Sequence, residues 1–241
     1  MPLSVGGEIK PSRLLNYSVQ HILSAALFSR LSANIEKNFD GKVSSELSDE
    51  HWAYVTGAIF FAVSFLEATI NELFADTADD TMVKIDSNLW QLEPKAISMM
   101  ANFWKIAIKG KPRFSILEKY QVALILTDKP KFDTDINPYQ DVSHLVNLRN
   151  ALIHYKPEWI PHLSGTNKNE MDPHKFEKML KVKFKENPMA GVGDPFFPDK
   201  CLGHGCAEWA VRSSINFVDD FFSRLGLTPR FNRVRDNLKT E

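Results

Sequence analysis

An all-α fold, a helical bundle of about five to seven helices, is predicted by three observations. Apolar residues recur at helical spacing in several separate stretches. Gly, Pro and Asn breakers stand between those stretches. Alternation of the kind a strand needs is confined to one short run, Lys181-Val182-Lys183-Phe184-Lys185.

The elements follow in order. Val19, Ile22, Leu23, Ala26, Leu27, Leu31 and Ile35 place an amphipathic helix over about 17–39, ending near Asn38–Gly41. Ser48, with Glu50 and Trp52 behind it, offers a cap for the strongest helix, from about Asp49 to Asp76. Leu89 to Lys109 and Ile116 to Thr127 read as two more, parted by Gly110-Lys111-Pro112. Asn137-Pro138 opens a helix carrying Val142, Leu145, Val146, Leu148, Leu152 and Ile153, and Pro157 stops it. From 157 to 202 lie six of the thirteen prolines, so that stretch is expected to be an irregular surface layer. The alternating run inside it permits a short strand. Helix resumes at His204 with Cys206, Trp209, Ala210, Ser213, Phe217 and Phe221 on one face, and Leu225-Gly226-Leu227-Thr228-Pro229 stops it.

Composition sets outer limits. Of 241 residues, 44% are hydrophobic and 24% charged, an ordinary soluble globular mix. That excludes a disordered chain, a collagen-like fibre and a disulfide scaffold. One domain over 1–241 is expected, with a loose lead-in at 1–14, the irregular insertion at 157–202 and a C-terminal tail at 227–241. The 29 Lys+Arg against 30 Asp+Glu leave a net charge of -1, so nucleic-acid binding would need a local patch. The two cysteines, Cys201 and Cys206, fit a reducing cytoplasm. The start lacks an apolar signal segment. The longest apolar stretch, Trp52 to Leu66, is shorter than the ~20 residues of a membrane span. A cytoplasmic protein without membrane partners is therefore expected.

Chemistry concentrates at the end of one helix, in Asn147-Leu148-Arg149-Asn150-Ala151-Leu152-Ile153-His154-Tyr155-Lys156-Pro157. An arginine fork and a tunable imidazole are what phosphodiester chemistry needs. On an unbroken helix the two side chains would lie about 140° apart. They converge on one phosphate if the helix ends at His154, or if a second subunit completes the site. With nine arginines and seven histidines, chance supplies roughly 0.26 such pairs at one spacing, so context must carry the reading. The alternative is an ion-paired Arg149, with His154 capping the last helical carbonyls.

Context comes from the long helix. Ser64, Glu67 and Asn71 share a face amid Phe60, Phe61, Phe65, Leu66, Ile70 and Phe74. A carboxylate there is costly unless paired, and Arg149 is the expected partner, directly or through one intermediary.

Phe65-Leu66-Glu67-Ala68-Thr69-Ile70-Asn71-Glu72-Leu73-Phe74 followed by Arg149-Asn150-Ala151-Leu152-Ile153-His154-Tyr155 resembles the HEPN superfamily of helical bundles with an R-x(4–6)-H signature. The resemblance spans roughly 15–156 and 203–226. It implies a metal-independent endoribonuclease of the toxin–antitoxin or defence type, acting as a homodimer on RNA. The partner implied is an antitoxin or a nucleotidyltransferase. The alternative it implies is a non-catalytic module binding RNA, a nucleotide or a protein partner. Arg149 and His154 match the signature, Asn150 its polar companion, and Glu67 and Asn71 the supporting helix. Some HEPN toxins carry a modified Tyr two places after the His. Here Tyr155 follows His154 directly, and Lys156 holds that place.

The implied mechanism needs no cofactor. The 2′-hydroxyl attacks its own phosphate, His154 transfers a proton, and Arg149 stabilises the phosphorane oxygens. Asn150 would contact phosphate or orient Arg149, and Glu67 would hold Arg149 in place. Five lysines, Lys175, Lys178, Lys181, Lys183 and Lys185, stand against one acid, Glu177, between 175 and 185. They are expected near the Arg149–His154 region, where they would track an RNA backbone, or else they form a solvated face. Cys201, His204 and Cys206 form C-x2-H-x-C, which lacks a fourth ligand at a suitable place, and no metal is expected there.

Overall fold

Helical periodicity is realised throughout the residues that the computed structural model describes, which are 15–79, 88–109, 114–157 and 174–241. The lead-in at 1–14, the Gly110-Lys111-Pro112 breaker and the first part of the insertion, 158–173, lie outside them. Among the described residues are seven α-helices and no strand. They are α1 (Ser18–Lys37), α2 (Ser45–Thr77), α3 (Pro94–Lys109), α4 (Ile116–Leu126), α5 (Tyr139–Ile153), α6 (Lys175–Leu180) and α7 (His204–Leu225). Short 3-10 turns occupy Asn88–Gln91 and Arg230–Asn237, and a π turn occupies Phe196–Lys200.

α2 begins four residues earlier than the sequence suggests. Ser44, not Ser48, is the cap, and its side chain accepts the Leu47 N–H at 3.2 Å. Ser48 is already inside the helix. The stretch expected as one helix over 89–109 divides at Pro94. Proline lacks the N–H an interior position needs, so it opens α3 instead. At α4 a full capping box forms between Ser115 and Glu118.

α1 and α2 form an antiparallel hairpin turning through Gly41, whose φ of +87° favours glycine. α7 packs against both, and the small side chains Ala25, Ala26, Ala58, Ala62 and Ala210 are wholly buried at their junction. By length and composition α2 is apolar enough to cross a membrane, and just over half of its most apolar stretch is buried inside the fold. α3, α4 and α5 flank α2. Tyr120 of α4 ties this side together. Its ring meets Phe217 and Phe221 of α7 edge-on at 4.8 and 4.7 Å, and its hydroxyl donates to the Leu66 carbonyl at 2.8 Å.

Three expectations need correction. The run 181–185 forms turns rather than a strand. Val182 points into solvent while Phe184 packs on Trp209, so the alternation serves one anchored loop without a strand partner. The described part of the insertion is more than a surface layer. Phe176, Leu180, Phe196, Phe197, Cys201 and Leu202 join the main core. The segment after α7, expected as a tail, packs on the bundle as well. Gly226 closes α7 at φ +73°, Phe231 stands edge-on to Phe65 at 5.3 Å, and Arg30 donates to the carbonyls of Asn237 and Lys239.

The insertion passes close over the start of α7. A Cβ added at Gly205 would lie 2.4 Å from the Lys185 carbonyl oxygen, which is backbone and cannot swing away. Gly205→Ala is therefore expected to destabilise the fold by about 1–3 kcal/mol, read as a lower denaturation midpoint. An unchanged midpoint would mean that residues 185–187 shift freely.

Candidate functional site

α5 carries the signature. Val142, Leu145 and Leu148 are buried against α2 and α7 and fix its rotation. Arg149 follows Val142 by seven residues and Leu145 by four, so it leaves the helix beside that stripe and is half-buried. Asn150 is half-buried as well. The helix stops at Ile153. His154 takes the capping position at φ -102°, ψ 34°, and its N–H donates to the Asn150 carbonyl at 2.9 Å. His154 and Tyr155 are exposed. The helix thus ends where convergence of Arg149 and His154 requires it to end.

Among the described residues neither the Arg149 guanidinium nor the His154 imidazole has a hydrogen bond or ion pair. This corrects the expected Glu67–Arg149 contact. Ser64, Glu67 and Asn71 do share a half-buried face, but Glu67 pairs with nothing there, and Asn71 Oδ1 accepts from Lys119 Nζ at 2.9 Å. The physical reason is hydration. Glu67 lies at the edge of α2's buried stripe, where a carboxylate keeps water and needs no partner. The alternative in which His154 caps carbonyls through its ring is not what the chain adopts.

The lysines divide. Lys183 Nζ lies 2.8 Å from Asp141 at the start of α5, with both side chains largely buried. Thirteen residues of helix, about 20 Å, part that pair from His154. Lys183 therefore does not lie near the signature, and its charge is neutralised locally. Lys181 pairs with Glu177 at 2.8 Å, and Lys175 stands 5.0 Å over the Phe176 ring.

The C-x2-H-x-C set is not assembled. Cys201 and Cys206 are free and fully buried, and burial beside Cys201 pushes the Cys206 thiol well up. His204 turns the other way, its Nδ1 lying 3.1 Å from the Ser29 carbonyl.

Sequence reasoning missed the principal buried charge cluster. Glu72 Oε1 accepts the N–H groups of Tyr17 and Ser18 at 2.7 and 2.8 Å, and Oε2 accepts the Ser18 hydroxyl at 2.6 Å. A carboxylate of α2 thereby caps the start of α1. Arg230 lies 3.5 Å from Glu72 and 2.8 Å from Asp76. Burial pushes the Asp76 carboxyl up to about 6, against the lowering effect of Arg230. The available signal was phase. Glu72 and Asp76 follow the buried Phe65 and Thr69 by seven residues, as Glu67 does not. A second missed feature is a cleft of about 340 Å³ between the start of α2 and residues 187–202. On its wall, His51 Nε2 meets Glu36 Oε1 at 2.8 Å.

Compared with protein families, curated proteins and solved structures, the chain matches none.

Proposed function

We propose that the chain is a HEPN-like, metal-independent endoribonuclease in which Arg149 and His154 act on one phosphodiester. The observation that carries this reading is that, among the described residues, those two side chains at an accessible helix end are uncommitted. Arg30, Arg212, Arg224, Arg230 and Arg235 all spend their charge on the fold. Arg149 does not among the described residues, although it is half-buried, and such a cation suits an anionic ligand.

In this reading the RNA 2′-hydroxyl attacks the adjacent phosphorus and the 5′-oxygen leaves. His154 moves the proton, as base for the attack or acid for the departure. The Arg149 fork meets the oxygens on which charge builds. Asn150, one residue on, supplies an amide donor. Glu67 has no positioning role here, since it does not hold Arg149. A homodimer would bring two such helix ends to one cleft. An antitoxin would act by covering that cleft; a nucleotidyltransferase would need another acceptor, since Lys156 stands where the modified Tyr is found. Lys183 is spent on Asp141 and Lys181 on Glu177, so Lys175 and Lys185 are the lysines of this run proposed for an RNA backbone.

The test is incubation of the purified protein with single-stranded RNA in excess chelator. Cleavage is expected to persist, and the 5′ fragments are expected to end in a 2′,3′-cyclic phosphate. Fragments ending in a 3′-hydroxyl, or cleavage abolished by the chelator, would overturn the mechanism.

A further inference from the structure

The residues left over by the signature include one group of metal-binding donors. A ring nitrogen of His204 and one carboxylate oxygen each from Glu208 and Glu241 lie within 4.8 Å of one another. His204 and Glu208 stand four residues apart on the first turns of α7, so they share a face. Glu241 reaches them because residues 230–240 fold back. The Ser29 hydroxyl donates to the Thr240 carbonyl at 3.3 Å, and Thr240 Oγ1 donates to Glu208 Oε1 at 3.0 Å.

The histidine is set as a ligand is set. A carbonyl oxygen only accepts, so the nitrogen facing Ser29 O, Nδ1, carries the proton. Nε2 then offers a lone pair. It is buried and has no hydrogen-bond partner among the described residues. A histidine with one ring N–H held by a carbonyl and the other nitrogen unpartnered is the usual second-layer arrangement around a metal. Glu208 is held in turn by Arg212 at 2.7 Å and by Thr240. The Glu241 carboxylate has no partner among the described residues. The positive end of α7 opposes a cation here, and Glu36, whose Oε1 accepts the His204 N–H at 2.5 Å, offsets it.

We infer that His204, Glu208 and Glu241 form a binding site for a zinc-class dication that clasps the C-terminal segment onto α7. One imidazole and two carboxylates suit zinc and its transition-metal neighbours, with water in the fourth position. Magnesium and calcium want oxygen ligands alone and are disfavoured. The site shares no residue with the Arg149–His154 signature and does not depend on the reading given to it.

The test is titration of the metal-free full chain with zinc chloride by calorimetry. Glu241→Gln and His204→Ala run beside the wild type, and cobalt(II) serves as a spectroscopic probe. One zinc per chain is expected, weakened at least tenfold in both variants, and the zinc-dependent rise in melting temperature is expected to vanish with it. Glu241 is exposed, so Glu241→Gln keeps the fold even if His204→Ala does not. The cobalt form is expected to lack sulfur-to-metal charge-transfer bands. No zinc uptake by the wild type, or full uptake by Glu241→Gln, would overturn the inference. Strong sulfur bands would do so as well, by moving the metal to Cys201 and Cys206.

Discussion

His154→Ala is expected to slow RNA cleavage by roughly 10²–10⁴ while leaving the fold unchanged. The size follows from removing the group proposed to move the proton. The neutrality of the fold follows from the site. The imidazole is exposed and makes no hydrogen bond among the described residues, so its loss opens no cavity and strands no buried group. Circular dichroism and the melting temperature should therefore match the wild type. Arg149→Lys should be damaging too, because an ammonium cannot reproduce the two-pronged contact with phosphate. These variants separate the rival roles. A His154→Ala protein that cleaves at the wild-type rate removes the catalytic claim. A chain that never cleaves, but binds RNA in an Arg149-dependent way, is the non-catalytic HEPN-like module instead. Glu67→Ala should be close to silent in both assays, since Glu67 supports nothing at the signature.

Arg230→Met is expected to cost about 3–5 kcal/mol of stability near pH 8, the usual loss when one partner of a buried ion pair is removed. Asp76 is 4% exposed, and Arg230 is the cation beside it. The pH dependence has a definite sign. The Asp76 carboxyl is raised from 3.8 to about 6, so the folded chain binds the proton more tightly than the unfolded one. The stability that protonation contributes is complete below pH 3.8 and is lost as pH rises through about 6. Over that window the change amounts to about 3 kcal/mol. Removing Arg230 raises the carboxyl further. The variant should then be hurt less at pH 5, where Asp76 is largely neutral, than at pH 8, where it must ionise without a partner. Urea unfolding at the two pH values measures both effects. Equal losses at pH 5 and pH 8 would show that Arg230 does not act through Asp76.

Glu67 and Glu72 show where inference from sequence stops. Both sit in the same apolar helix, and each is a buried charge on the same argument. Only rotation separates them. Glu72 falls in line with Phe65 and faces the start of α1, whereas Glu67 falls at a hydrated edge. The arginine that meets the buried acids comes from position 230, in a segment read as a tail. Likewise Lys183 resembles its neighbours in sequence, and only the packing of residues 174–185 on α5 reveals that Asp141 has claimed it.

Local stereochemistry was readable from the residues alone. Periodicity placed six of the seven described helices, missing the short α6, Gly226 and Pro157 marked two of their ends, and the fall of His154 at the close of α5 followed from Pro157. Each of these depends on residues within a few positions of one another, where backbone geometry leaves few choices. Partnership was readable only in the folded chain. Which carboxylate is buried, which cation meets it, and which nitrogen of His204 is free depend on groups 50 to 200 positions apart. Such choices are made when helices dock. Desolvation then makes an unpaired charge costly, and only at that point does the fold select which pairs form.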